Sequence, residues 1–187
     1  MRVLVITPPE PVVELAEAKE HLRVRGGAED ALIEAYVAAA TAHIDGPDGW
    51  LGRAIGVQTL EARFGWYESG YDFLHLPYPP VIDLVSIKYL NASREERDAA
   101  LADFALHGHR VAWPTTAPWV GGALDEEAVR IRYRAGYETL PPAIRAAILL
   151  MLGDLYENRE TVALGSTSAI PMSTTVERLL APFRVWR

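Results

Sequence analysis

The sequence predicts an α+β fold, with helices near both ends of the chain and a β-rich middle. Apolar residues recur at helical spacing near the start and again near the end of the chain, whereas residues 54–137 contain short β-prone runs separated by turn residues. Helices and strands are therefore segregated rather than alternating, which favours α+β over a parallel α/β sheet. We expect a single domain over residues 1–187, with its helical core at about 11–46 and 141–182.

Two helices are predicted near the N-terminus. The first covers Val13–Val24, and Gly26–Gly27 ends it because glycine readily adopts the left-handed conformation of a helix C-terminus. The second runs from about Glu29 to Asp45, where apolar residues recur every three or four positions. The sequence Gly-Pro-Asp-Gly at 46–49 then ends the second helix.

The middle of the chain is predicted to be a β-meander. Its β-rich runs are Val57–Phe64, Phe73–Leu76, Val81–Leu90, Phe104–Leu106 and Arg110–Trp113. The charged stretch Ala92–Ala100 is open to another interpretation, a short exposed helix. Val129–Tyr133 is the clearest strand, because its apolar residues alternate with arginines and give one apolar and one basic face.

Two further helices complete the prediction. Pro141 and Pro142 open the strongest helix of the chain, which continues to Glu157, because proline fits the first turn of a helix. Its broad apolar stripe predicts that this helix forms the centre of the core. Thr174 followed by Glu177 fits a capping box and predicts a short last helix over Thr175–Leu180.

Composition excludes several classes of function. The chain has 187 residues, half of them hydrophobic, and no cysteine, which excludes disulfides, thiolate metal sites and cysteine nucleophiles. A net charge of -7 without a long basic run argues against sequence-specific DNA binding. The apolar runs Val3–Ile6 and Ala146–Leu152 are too short for a signal-peptide core or a membrane span, so no membrane partner is expected.

Residues that carry chemistry are few. His107 and His109 flank Gly108, which predicts a hairpin tip, and no third metal ligand follows at regular spacing. The carboxylates of Asp125–Glu127 are typical of a solvated loop, although carboxylate pairs do carry glycoside hydrolysis. The sequence has neither a serine elbow nor a glycine-rich phosphate loop. We therefore predict no catalytic, cofactor or metal site, and a small hydrolase using His107 or His109 with the Asp125 cluster stands as the alternative.

Two groups of residues are candidates for contact with a partner. The basic strand face is formed by Arg130, Arg132 and Arg134. It is either a solvated surface or a contact for an acidic partner or a nucleic acid backbone. The C-terminal segment carries large apolar side chains at a place where chains fray unless docked. They either pack on the core or dock on another subunit, and the candidate interface residues are Leu179, Leu180, Phe183, Arg184 and Trp186.

The two N-terminal segments Pro11–Val24 and Glu29–Ala40 are similar to the first two helices of the gp6-like and phiE125 gp8-like head–tail connector (adaptor) families of tailed phages. The similarity continues, in order, at Gly52–Ala54, Gln58–Thr59, Leu76–Val81, Ser86–Tyr89, Val129–Tyr137, Pro141–Arg145, Leu155–Glu160 and Val176–Arg184. The turn at 46–49 departs from the family pattern, which usually continues as a helix there.

The resemblance implies an assembly protein that works by shape and interface. It implies a helical core with a β-rich middle insertion, and a ring of twelve copies beneath a portal protein. The ring would extend the DNA channel and offer a platform to a tail-side neck, stopper or tail terminator protein. Double-stranded DNA would pass through it non-specifically. The implied location is the neck of a virion or phage-like particle, assembled in a bacterial cytoplasm from a prophage or gene transfer agent. A tail-completion or neck protein elsewhere in the same particle is the alternative.

Overall fold

The computed structural model describes residues 1–65, 73–113, 119, 122–158 and 172–185. These residues form α-helices and antiparallel β-sheets, so the α+β prediction is confirmed. The chain divides into two compact units. A sheet unit comprises Met1–Glu10 and Arg53–Glu138, and a helical unit comprises Pro11–Gly52 and Thr139–Arg187.

The described part of the sheet unit contains eight strands. They are β1 (Arg2–Thr7), β2 (Gln58–Phe64), β3 (Phe73–His75), β4 (Val81–Leu90), β5 (Glu96–Ala99), β6 (Ala105–His107), β7 (Arg110–Ala112) and β8 (Val129–Ala135). Five of them form an antiparallel sheet in the order β1-β2-β8-β4-β5, and three form a smaller sheet in the order β3-β7-β6. The strands predicted from the sequence are confirmed to within one or two residues at their ends.

The predicted meander is wrong in its strand order. The last strand, β8, lies between β2 and β4, so that Ile131 is opposite Ala62 on one side and Ile87 on the other. The apolar face of β8 is completely buried, and a central position gives that face a neighbouring strand on each side. Alternation within a strand reports its two faces but not its partners, which lie far away in the sequence.

Two further expectations for the middle of the chain are corrected. Ala92–Ala100 does not contain a helix, because the Asn91 carboxamide oxygen accepts hydrogen bonds from the amides of Ser93 and Glu95, at 2.9 Å each, and turns the chain into β5. The β-rich region also extends beyond about 54–137, since β1 at the N-terminus pairs with β2.

The sheet unit has one continuous apolar core that includes an aromatic cluster. Trp113 and Trp119 meet edge to face with ring centroids 5.0 Å apart, and Phe104 stacks on Trp119 at 5.7 Å. Gly136 follows β8 with a φ of +126°, and a Cβ there would lie 2.2 Å from the carbonyl oxygen of Gly56. Only glycine fits this position, which closes the end of β8 against the chain before β2.

The helical unit contains α1 (Leu15–Leu22), α2 (Asp30–Ile44), α3 (Pro142–Glu157) and α4 (Thr174–Leu180) among its described residues. The predictions for α2 and α3 are confirmed. Helix α1 ends earlier than expected, because Arg23 already adopts the left-handed conformation, three residues before Gly26. Ser173 caps α4 by accepting a hydrogen bond from the Val176 amide at 3.3 Å, so the capping box predicted at Thr174 is wrong by one residue.

Helix α3 supplies the centre of the helical unit's core. Its buried residues are Ile144, Ala147, Ile148, Met151 and Leu152. Polar contacts connect its two ends to other elements of this unit, since Arg145 pairs with Glu17 of α1 at 2.5 Å and the Tyr156 hydroxyl donates to Glu29 at 2.6 Å. None of the described helices is both long enough and apolar enough to cross a membrane.

Candidate functional site

The C-terminal segment packs against the turn that follows α2 in the same chain. The Arg184 guanidinium lies over the indole of Trp50, 4.1 Å from the ring centroid, and the Val185 amide donates to the Leu51 carbonyl at 2.9 Å. A Cβ added to Gly52 would lie 3.1 Å from the Val185 carbonyl oxygen, so the two backbones are in close contact. The segment is therefore docked on its own helical unit as far as Val185.

The five candidate interface residues occupy different environments. Leu180 is fully buried in the helical unit, so it is a core residue and is unavailable to another subunit in this conformation. Sequence periodicity could not identify the burial of Leu180, because the burial of a short helix depends on which other elements pack over it. Leu179, Phe183 and Arg184 are half-buried, and Trp186 lies outside the described residues.

Each arginine of the basic strand face has a carboxylate partner from a neighbouring strand. Arg130 pairs with Glu96 of β5 at 2.9 Å, and Arg132 pairs with Glu61 of β2 at 2.6 Å. Arg134 contacts Asp83 of β4 through two guanidinium nitrogens, and hydrogen bonding to this guanidinium lowers the pKa of the Asp83 carboxyl. The strand is basic in sequence, but the tertiary structure surrounds it with acid groups.

Glu61 is the most buried charged group of this face. Its side chain is 5% exposed and lies between the guanidinium groups of Arg63, at 2.8 Å, and Arg132, at 2.6 Å. Burial by itself raises the pKa of Glu61, but hydrogen bonds from Arg132 and Arg63 outweigh it, so the pKa lies below its usual value. Glu61 is therefore a charged carboxylate that connects β2 to β8.

The ion pairs form three groups on the five-stranded sheet. Arg134 pairs with Asp83, a second group joins Arg130 and Lys88 through Glu96 and Asp98, and a third joins Arg2, Arg63 and Arg132 through Glu61 and Glu127. The two signs nearly balance, so these groups offer little net charge to a phosphate backbone. Only the three arginines of β8 could be identified from the sequence, because their carboxylate partners lie on strands distant in sequence.

The histidines of the alternative hydrolase hypothesis lie on a hairpin. Gly108 has a φ of +64° at the tip between β6 and β7, as predicted, and the His109 ring lies 5.0 Å from the ring of His75. The Asp125 carboxylate accepts a hydrogen bond from the Glu127 amide at 3.2 Å, as in a local turn. Among the residues that the structure describes, no three His, Asp or Glu side chains group as a metal site would require.

The whole chain is similar in structure to chains of gene transfer agent (GTA) particles. One is a chain of the neck of an empty GTA particle, computed with C6 symmetry, at TM-score 0.74 and 25% identity. Another is a chain of the virion of a native GTA particle, at TM-score 0.74 and 26% identity. A third, from the neck of a native GTA particle computed with C12 symmetry, has TM-score 0.73 and 24% identity and shows the fold alone.

Each of these similarities covers 100% of this chain and 97% of the other chain. The sequence matches no family model and no curated protein. The similarity therefore extends over both the sheet unit and the helical unit, rather than over one common motif.

Proposed function

We propose that this chain is a structural connector subunit in the neck of a phage-like particle and has no catalysis of its own. The observation that carries this proposal is the similarity of the entire chain to 97% of a GTA neck chain, at TM-score 0.74. Similar architecture over both units, at 25–26% identity, supports a shared structural role. The resemblance of the sequence to head–tail connector families supports the same role independently.

The proposed assembly is a ring of twelve copies of this chain. The number twelve is the one implied by the resemblance to head–tail connector families, and the sixfold symmetry with which the neck of an empty GTA particle was computed is compatible with it. A closed ring larger than a dimer repeats one head-to-tail contact, so each copy presents two different surfaces to its neighbours. Its proposed partners are a portal protein on the head side and a stopper or tail terminator protein on the tail side.

The balanced charge of the sheet face suits a protein near passing DNA. The chain has a net charge of -7, and these arginines already have carboxylate partners, so few positive charges are available to bind the phosphates of double-stranded DNA. We propose that Arg130, Arg132 and Arg134 form a polar, partner-facing surface rather than a phosphate-binding one. The half-buried residues Leu179, Phe183 and Arg184, with Trp186, remain the proposed interface of the C-terminal segment.

The test is electron microscopy and native mass spectrometry of the purified chain, alone and mixed with the portal protein of the same particle. We expect rings of twelve, formed at high concentration or on the portal. A chain that stays monomeric and never binds the portal would contradict the proposal. Binding to a tail-side component but not to the portal would identify a tail-completion protein instead.

A further inference from the structure

The two edges of the five-stranded sheet differ in character. Edge strands expose backbone N–H and C=O groups that can pair with another chain, and natural proteins usually protect them with charges or proline. Strand β5 carries three charged residues, in the sequence Glu-Arg-Asp-Ala, which favour a partner edge of complementary charge over an unspecific one. Strand β1 is instead mostly apolar, with the sequence Arg-Val-Leu-Val-Ile-Thr, and Val5 and Ile6 are 44% and 41% exposed. Among the described residues, β1 is thus an apolar edge without a strand on its outer side.

The register of the sheet aligns residues of β1 with residues of β5. On the face with the ion pairs, one continuous row is Arg2, Arg63, Arg130, Lys88 and Asp98. The next row, on the core face, is Val3, Ala62, Ile131, Ile87 and Ala99. The first row therefore begins with a cation at one edge and ends with an anion at the other, and the second row is apolar throughout.

Both charged ends of the first row are accessible. The side chain of Arg2 is 64% exposed and pairs with Glu127 at 3.3 Å, and the side chain of Asp98 is 79% exposed and reaches Lys88 only at 3.8 Å. The row places four cations side by side, and each of them pairs with a carboxylate of its own chain. Arg2 is the most exposed of the four, so a carboxylate of another copy can reach it.

We propose that β1 of one copy pairs with β5 of the next copy, so that the five-stranded sheets join edge to edge around the ring. This inference rests on the proposed function, because it requires a repeated head-to-tail contact. Asp98 of one copy would then lie beside Arg2 of its neighbour, and Ala99 beside Val3. The two edges are different surfaces of the same chain, which is what a heterologous interface needs.

The strand directions fit this arrangement. Every neighbouring pair in the sheet is antiparallel, so β1 and β5, four steps apart, run in the same direction. Neighbours in a ring of about twelve are related by a rotation of roughly 30°. The new junction is therefore a short parallel pair, in which the end of β5, Asp98 and Ala99, lies beside the start of β1, Arg2 and Val3.

The chain contains no cysteine, so cross-linking gives a direct test. Arg2→Cys and Asp98→Cys are prepared as separate proteins, mixed, assembled on the portal and treated with a short thiol-specific cross-linker. We expect a covalent dimer in the mixture and none with either protein alone. A chain carrying both substitutions should give a ladder of oligomers. Glu138→Cys, at an exposed site away from both edges, replaces Arg2→Cys as the matched control and should give no dimer with Asp98→Cys.

Charge reversal gives an independent readout of the same contact. Arg2→Asp and Asp98→Arg should each reduce the fraction of chain in rings several-fold, and the double variant should restore that fraction. The Tm of each monomeric variant should stay close to that of the original chain. Rings that form without any cross-link between positions 2 and 98 would overturn the inference and leave the proposed function standing. Cross-links between two copies of Arg2→Cys would also overturn the inference, because they would show that two β1 edges pair with each other about a twofold axis. If the unmodified chain never assembles, both proposals fail.

Discussion

The pair Leu150 and Leu152 on α3 offers a controlled measure of what the helical core contributes to stability. The two residues are identical and lie on one helix, but Leu152 is 0% exposed and Leu150 is 37% exposed. Leu152→Ala removes three buried carbon groups. At ~0.8 kcal/mol each, their lost burial lowers the free energy of unfolding by about 2.4 kcal/mol, before the cost of a cavity is added. With the cavity, we expect a loss of about 2–5 kcal/mol in the free energy of unfolding.

Leu150→Ala should cost less, about 1–1.5 kcal/mol, because more than a third of that residue already lies in water in the folded chain. For a chain of this size, the Leu152→Ala loss corresponds to a decrease in Tm of about 4–20 °C. Urea unfolding and thermal melting, followed by circular dichroism at a concentration where the chain is monomeric, measure both variants. Equal destabilisation by the two substitutions would refute the reasoning, since it would mean that burial on α3 does not set their cost.

Three further predictions concern the tail, the ion pairs and DNA. Deletion of residues 183–187 should leave a folded monomer, because Leu180 keeps its place in the core, but should abolish incorporation into particles. An unfolded monomer in circular dichroism would show instead that the segment is part of the fold. Glu61→Gln should destabilise the chain by about 1–3 kcal/mol at pH 7. Because the pKa of Glu61 is lowered in the folded chain, the stability that this carboxylate contributes is present above the unfolded pKa of about 4.3 and is lost as pH falls through the folded pKa. The difference in urea midpoint between the variant and the original chain should therefore shrink on acidification. A constant difference down to about pH 3 would contradict this. The chain should not retain double-stranded DNA in filter binding at about 150 mM salt, and affinity that falls steeply with salt would indicate phosphate contacts that the paired arginines do not predict.

The sequence predicts where the candidate surfaces lie better than it predicts what contacts them. The alternation in β8 correctly separates a buried apolar face from a partly exposed face with three arginines. It could not show that Glu61, Asp83 and Glu96 neutralise those arginines, because the partners come from three other strands. Likewise, the apolar character of the C-terminal segment was visible in sequence, but the docking of Val185 on Leu51 was not. The edge position of β1 had no sequence signal beyond a short apolar run.

The sequence by itself determined most of the elements of this protein. Hydrophobic periodicity, the prolines at the start of α3 and the turn at 46–49 are local features, and local backbone preferences act within a few residues. They therefore place the described helices and six of the eight described strands close to their observed bounds, whereas β1 and β5 were not predicted. Only the tertiary structure decided the strand order, the burial of Leu180 and the pairing of the arginines. Each of these depends on which distant segments come together to bury apolar surface and to pair charge, and that choice is made by the whole chain rather than by any one stretch of it.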